Sequence, residues 1–199
     1  MQPIPKLVIL GRDGILNEFR EDHIKAPEEW IAVPGALEAV SRLNHAGWHV
    51  VVATNQAGIG RGMIDMSAMN AVNAHMLRQV QAHGGRIDAV FFCPHAPEEH
   101  CDCRKPLAGM MFEIARRYGV DLAQVPMVGD TLRDLQAAQA AGCEPHLVRS
   151  GRAAALPAAE VAAMLEQVSG ARVHADLAEF AHHLLAREHV RDSRSGALG

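Results

Sequence analysis

The sequence predicts an α/β fold, a parallel sheet with helices packed on both faces. Two observations carry this. Short runs rich in β-branched residues alternate with segments of helical periodicity. Those runs end abruptly in glycine, hydroxyl, amide or carboxylate residues, at the strand ends where an open α/β sheet places its ligands. A hydrophobic content of 49% suffices for a sizeable core, and 199 residues suggest a single domain over 1–190 with a disordered tail at 191–199.

Composition excludes several classes. The formal charge of −4, the absence of a basic block and an aromatic content of 4% give nucleic-acid binding little support. No apolar stretch is long enough to span a membrane. Met1 to Lys6 lack the charged-then-apolar pattern of a signal peptide. A cytoplasmic monomer is the expectation.

In order, Leu7-Val8-Ile9-Leu10, between Pro5 and Gly11, predicts the first buried strand. The turn Gly11-Arg12-Asp13-Gly14-Ile15-Leu16-Asn17 follows, so Asp13 stands at the strand's carboxyl end. A polar loop, Glu18 to Glu29, leads to a helix over Ala36 to Ala46, with Leu37, Val40 and Leu43 on one face and Gly47 as its stop. Trp48 to Ala53 is the second strand. It ends in Thr54-Asn55-Gln56-Ala57-Gly58-Ile59-Gly60-Arg61-Gly62, a glycine-rich loop of the kind whose backbone N–H groups can approach an anion. Ser67 is the expected cap of a helix to His83, with Met66, Met69, Val72, Met76 and Val80 as its buried stripe. Ile87 to Phe92 is the third strand.

Cys93-Pro94-His95 and Cys101-Asp102-Cys103 follow at once. Three sulfurs and one imidazole in eleven residues suit tetrahedral zinc, and four protein ligands close the site for a structural role. His100 competes with His95 as the fourth ligand. Cys143 lies apart, as a small core residue. Arg104 and Lys105 come directly after the cluster, a planar fork and a point charge that can meet phosphate.

A helix over Met110 to Tyr118 precedes the fourth strand, Val125 to Val128. That strand delivers Gly129-Asp130-Thr131-Leu132-Arg133-Asp134. A carboxylate there can hold a hard cation, or Asp130 can cap the helix with Asp134 in its first turn. The helix continues over Leu135 to Ala141. His146-Leu147-Val148 is the fifth strand. Helices are expected over Ala158 to Val168 and Leu177 to Leu185, the second capped by Asp176, with His182, His183 and His189 solvated or at helix ends.

Over residues 7–151 these strand-end motifs resemble those of the haloacid dehalogenase (HAD) phosphatases. Arg12 to Asn17 match the first motif, D-x-D-G-[TVI]-[ILV]-N, except that Gly11 stands where the family has its first aspartate. Thr54 to Gly62 and Cys101-Asp102-Cys103-Arg104-Lys105-Pro106 match the subfamily of heptose-bisphosphate and histidinol-phosphate phosphatases. The resemblance implies a Rossmann-like core with no large cap domain. It implies phosphomonoester hydrolysis through an aspartyl-phosphate, most closely removal of the 7-phosphate of a heptose 1,7-bisphosphate in making lipopolysaccharide precursors. Histidinol phosphate is the alternative substrate. The implied roles are Asp13 as general acid/base, Thr54 and Lys105 on the phosphoryl group, and Asn55 and Arg104 on substrate. Asp13 and Asp130 are the implied Mg2+ ligands with Asp134 in support, and Cys93, His95, Cys101 and Cys103 the structural Zn2+ ligands. Phe19 to Asp22 and Arg61 are further candidates for touching the sugar. Gly11 can neither attack phosphorus nor bind metal. The chain is therefore expected to be inactive or nearly so, in the limit a sugar-phosphate-binding pseudo-enzyme.

Overall fold

In the structure, a computed structural model that describes residues 5–195, six short strands form one wholly parallel sheet. They are β1 (Leu7–Leu10), β2 (His49–Asn55), β3 (Ala89–Cys93), β4 (Pro126–Gly129), β5 (Glu144–Val148) and β6 (Arg172–His174), and they lie side by side as β3-β2-β1-β4-β5-β6. Alternate residues of β1 serve opposite faces, as strand geometry requires. Val8 and Leu10 join Val50 and Val52 against α1 (Ala36–His45), α3 (Met66–Ala82) and α7 (Leu177–Ser195). Leu7 and Ile9 join Val51 and Ala53 on the other face, against α4 (Gly109–Tyr118) and α5 (Leu132–Ala141). Cys143 is buried in that second layer, the core role expected of it. A short α2 (Ala57–Gly60) follows β2, and α6 (Ala158–Glu166) packs Val161 with Leu135 and Leu147 at one end of the sheet.

The strand order fixes where a ligand can sit. The chain runs outward from β1 through β2 to β3, then crosses back to place β4 on the other side of β1. The connections after β1 and β4 leave in opposite directions, which opens a crevice at their carboxyl ends. No cap domain covers that edge among the described residues, and no helix there is long and apolar enough to cross a membrane.

Local expectations differ from the structure in a few places. Asp65, not Ser67, caps α3, its Oδ1 accepting from the Ala68 N–H at 2.7 Å. An aspartate one residue before the helix reaches the third N–H, whereas Ser67 already lies in the first turn. Met66 is correspondingly exposed, leaving Met69, Val72, Met76 and Val80 as the buried stripe. The sixth strand went unread because three residues at a sheet edge, Arg172 and Val173 exposed, carry no period-two signal. Asp176 does cap α7, accepting from the Glu179 N–H at 2.8 Å. That helix runs to Ser195, into the segment expected as a tail, and residues 196–199 lie outside those described. His183 is not simply solvated. Its ring lies 5.2 Å from that of His174, and its Nε2 is 2.9 Å from the Arg172 guanidinium.

Candidate active site

The turn after β1 is pinned to β4, where the Gly11 N–H donates to the Val128 carbonyl at 2.9 Å. Arg12 is the largest fully buried side chain. Its guanidinium donates to both Asp13 oxygens, at 3.0 and 3.2 Å, and to Asn73 Oδ1 at 3.2 Å. Asn17 Nδ2 and Gln56 Nε2 donate to the same carboxylate at 3.1 and 2.9 Å. Burial pushes the Asp13 pKa up, but Arg12 and the two amides outweigh it and hold the group below the ordinary aspartate value. Asp13 therefore rests ionised.

From β2, Thr54 turns a buried hydroxyl inward, where it accepts from Gln56 Nε2 at 2.9 Å. Asn55 does something the sequence did not suggest. Its Nδ2 donates to the Lys105 carbonyl at 3.0 Å and its Oδ1 accepts from the Lys105 N–H at 3.1 Å. The two bonds clamp the main chain of Lys105 to the end of β2. The Lys105 ammonium, itself buried, donates to the Ala53 carbonyl at 2.9 Å and lies 2.6 Å from Asp134 Oδ1.

Asp134 is the hub on the β4 side. Its Oδ2 accepts from the N–H groups of Asp130 and Thr131, at 3.2 and 3.0 Å, and from the Thr131 hydroxyl at 2.7 Å. With Thr131 as N-cap this makes a reciprocal cap at the start of α5. Burial opposes the charge on Asp134, but Lys105 and these donors hold its pKa low. Asp130 is driven the other way. Burial, then the neighbouring Asp134 charge, pushes it up to about 6. Its Oδ2 accepts from the Arg152 N–H at 2.8 Å, and glycine is required on two sides of it. A Cβ at Gly14 (φ +81°) or at Gly151 would stand 2.4 or 2.3 Å from that oxygen. So Asp130 is a buried carboxylate crowded by another, with no side-chain cation paired to it among the described residues.

These groups surround a polar cavity of about 50 Å³ at the β1/β4 crevice, lined by Asp13, Thr54, Lys105 and Asp130 with Gly11 at its floor. A Cβ on Gly11 would meet the terminal methyl of Ile15 at 2.6 Å, while the nearest backbone atom lies 3.7 Å away. One side-chain methyl stands in the way, and the main chain does not.

At the end of β3, the ligand atoms of Cys93, His95, Cys101 and Cys103 all lie within 4.8 Å of one another. Cys93 Sγ is 3.5 Å from Cys101 Sγ and 3.2 Å from Cys103 Sγ, and His95 Nδ1 is 3.3 Å from Cys103 Sγ. His95, not His100, completes the set. Three thiols and an imidazole converging at this spacing are the donors a tetrahedral zinc takes, and the residues present fit that ion. Burial raises the Cys93 and Cys103 thiols, while hydrogen bonds from Cys103 and Cys93 bring Cys101, against its burial, down to about 7.

From Ile59 to Gly62 the glycine-rich loop after β2 serves this cluster and its own turn, so those N–H groups are not turned to an anion. Gly60 N–H donates to the Pro94 carbonyl at 2.8 Å, and a Cβ there would reach the Ala96 nitrogen at 2.6 Å. The N–H groups of Ile59, Arg61 and Gly62 are spent within the loop itself. Arg104, expected on substrate, donates to the His95 carbonyl at 3.3 Å and borders an adjoining cavity, not the small one. Arg20 and Asp22 pair with each other, while Phe19 and Glu21 border a cavity with Gly151 and Arg152, Phe19 under the Arg152 guanidinium at 4.0 Å. Arg12, Gln56, Thr131, Arg133, Gly151 and Arg152 were missed as site residues. For Gly151 and Arg152 a signal was present, since they follow the fifth strand as Asp13 follows the first.

Comparison with known proteins agrees with this geometry. A HAD-hydrolase-like family model matches residues 102–180. The D-glycero-beta-D-manno-heptose-1,7-bisphosphate 7-phosphatase of Bordetella bronchiseptica is 51% identical over 180 residues, covering 90% of this chain and 98% of that protein. The Pseudomonas aeruginosa protein of the same name is 47% identical over 146 residues, 73% of this chain and 82% of its own length. Among solved structures, the B. bronchiseptica phosphatase complexed with magnesium and phosphate superposes with a TM-score of 0.84 at 50% identity, over 92% of this chain and 99% of that one. The Burkholderia thailandensis enzyme gives 0.66 at 47% identity, over 90% and 98%. The chain belongs to the D,D-heptose 1,7-bisphosphate phosphatase family of HAD hydrolases.

Proposed function

We propose that the chain is a magnesium-dependent sugar-phosphate phosphatase scaffold built for the 7-phosphate of D-glycero-D-manno-heptose 1,7-bisphosphate, with turnover crippled at Gly11. The observation that carries this is the convergence of Asp13, Thr54, Lys105 and Asp130 on one small polar cavity, with a residue lacking a side chain at its floor. The named activity of the relatives above supplies the substrate. The reading includes a monomer working in the cytoplasm.

Lys105 and the Thr54 hydroxyl receive the phosphoryl oxygens, and Asn55 holds Lys105 in place by its main chain. Where a nucleophile stands at position 11, Asp13 would protonate the departing sugar oxygen; it rests ionised, and an arriving phosphate dianion, by like-charge repulsion, raises its pKa so that it can take that proton from solvent. Asp13 and Asp130 would hold magnesium, with Asp134 positioning Lys105 and the Asp130 main chain. Bound there, the ion screens phosphoryl charge. The donor set fits a hard cation but is one carboxylate short at Gly11. The cysteine-histidine cluster would hold structural zinc and so fix the loop that bears Arg104 and Lys105.

Without a carboxylate at position 11 there is no attack on phosphorus from the chain. Removing the nucleophile of another covalent enzyme class costs on the order of 10⁶ in rate, and a loss of that order is expected here. Binding persists through Thr54, Lys105 and the backbone. Calorimetric titration of the chain with heptose 1,7-bisphosphate and with histidinol phosphate tests the reading. The bisphosphate is expected to bind more tightly; tighter binding of histidinol phosphate, or no binding of either, overturns the substrate assignment.

A further inference from the structure

Gly11 lines the polar cavity at the β1/β4 crevice, and its missing side chain leaves room there. The cavity holds about 50 Å³, and a single water needs only about 10–15 Å³ of such space. Its donors are not all spent. The Lys105 ammonium has three N–H groups; the Ala53 carbonyl and Asp134 take two, and one remains for the cavity it lines. The Thr54 oxygen accepts from Gln56 Nε2, so its own proton is free to turn to an anion. A small anion thus finds two donors. Asp13 and Asp130, on the same wall, oppose it and keep its binding weak. Size is restricted on the Gly11 side. The place of a Cβ on Gly11 lies 2.6 Å from the terminal methyl of Ile15, so a free carboxylate fits there only without a methyl of its own.

Resting on the phosphatase reading above, we propose that this cavity takes formate, a one-carbon carboxylate, as a substitute nucleophile, giving the chain a formate-dependent phosphatase activity. A formate oxygen attacks the phosphorus of the 7-phosphate. The phosphorus–oxygen bond to the sugar breaks, and the departing oxygen takes the proton that Asp13 carries. The products are formyl phosphate and heptose 1-phosphate. Water then hydrolyses formyl phosphate to formate and inorganic phosphate, and the proton released replaces the one Asp13 gave. Formate is regenerated, and nothing is oxidised or reduced.

The test is phosphate release from heptose 1,7-bisphosphate by the whole chain with magnesium and zinc, as formate or acetate is raised to about 1 M at constant ionic strength. A carboxylate tethered at position 11 has an effective concentration of about 10⁵ M or more, and its loss costs on the order of 10⁶ in rate. Free formate at about 1 M is therefore expected to raise the residual rate about tenfold. Acetate, whose methyl falls on Ile15, should leave it unchanged, and hydroxylamine should trap the acyl phosphate as formhydroxamate. Binding is read without turnover as broadening of the formate NMR signal by the magnesium-free chain, which the side chain of Gly11→Asp should abolish. No response to formate, while Gly11→Asp hydrolyses the bisphosphate, overturns the proposal and leaves the phosphatase reading standing. Equal responses to formate and acetate place the attack outside the cavity and overturn it, as do a faster rate without formhydroxamate and broadening that persists in Gly11→Asp. No hydrolysis by Gly11→Asp, and none by the chain with formate, overturns the phosphatase reading itself.

Discussion

Lys105 and Asp134 form a buried ion pair at 2.6 Å, and each has other work. Asp134 caps α5 and orients the Asp130 main chain, while Lys105 reaches the phosphoryl cavity. Removing one partner of such a pair leaves an uncompensated buried charge at a cost of about 3–5 kcal/mol. Lys105→Met is therefore expected to lower the unfolding free energy by that amount in urea denaturation. Asn55→Ala should cost less, about 1–3 kcal/mol, the penalty for unsatisfied buried groups. It should also weaken phosphate binding, since it frees the main chain that aims Lys105. The acids and the lysine were legible in the sequence through the motifs they share with the HAD phosphatases; taken alone, Asp130 and Asp134 read equally as the start of a helix. The role of Asn55 was not, because it depends on a partner fifty positions away that only the β2/β3 pairing brings near. Arg133 was likewise illegible: the cavities it lines with Lys105 are closed by residues from other loops.

Two elements can be tested as units. The loop from Cys93 to Lys105 is hydrogen-bonded at Cys93 and Pro94 to the segment after β2, and is tied across its own width by the cysteine-histidine cluster. Chelating zinc should release it. A loss of about 2 kcal/mol would lower the melting temperature by about 4–8 °C in a domain of this size, and phosphate affinity should fall with it, as it should in Cys101→Ser. An unchanged melting curve after verified metal removal would contradict the structural role.

The second element is the β5/β6/α7 edge. There His146 and His174 are buried with Nδ1 and Nε2 3.0 Å apart, among Glu144, Glu179, Arg172, His183 and Arg187. Burial, then the neighbouring His174, pushes His146 down to about 3, and burial lowers His174 as well. Both stay neutral in the fold while the unfolded chain takes up protons below its pKa of about 6.5. Stability is thus full above about pH 6.5 and falls as pH drops toward 3. For His146 alone the slope approaches about 1.4 kcal/mol per pH unit, or about 2 kcal/mol by pH 5. Denaturation at pH 7 and 5 measures this, and His146→Leu should flatten it. Of this edge β5 and α7 were readable in the sequence, while β6 was not, being three residues long, and so neither was the meeting of His146 with His174.

At the scale of the molecule, one topological fact organises the rest. Placing β1 between β2 and β4 brings residues 11–17, 54–56, 105 and 130–134 to one crevice. The alternation of strands and helices was readable because parallel strands buried on both faces are unbroken apolar runs between glycine-rich turns. Strand order is not readable from periodicity, which marks the strands but not their neighbours. Gly11 sits at the centre of this arrangement, on a backbone that a side chain fits once the Ile15 methyl moves aside. The direct test is phosphate release from heptose 1,7-bisphosphate with magnesium, comparing the chain with its Gly11→Asp variant. Activity in the variant, higher by several orders of magnitude and on the order of 10⁶ at most, is the expected result. Equal activity in both would contradict the aspartyl-phosphate route, and activity in neither would contradict the claim that position 11 is the sole lesion.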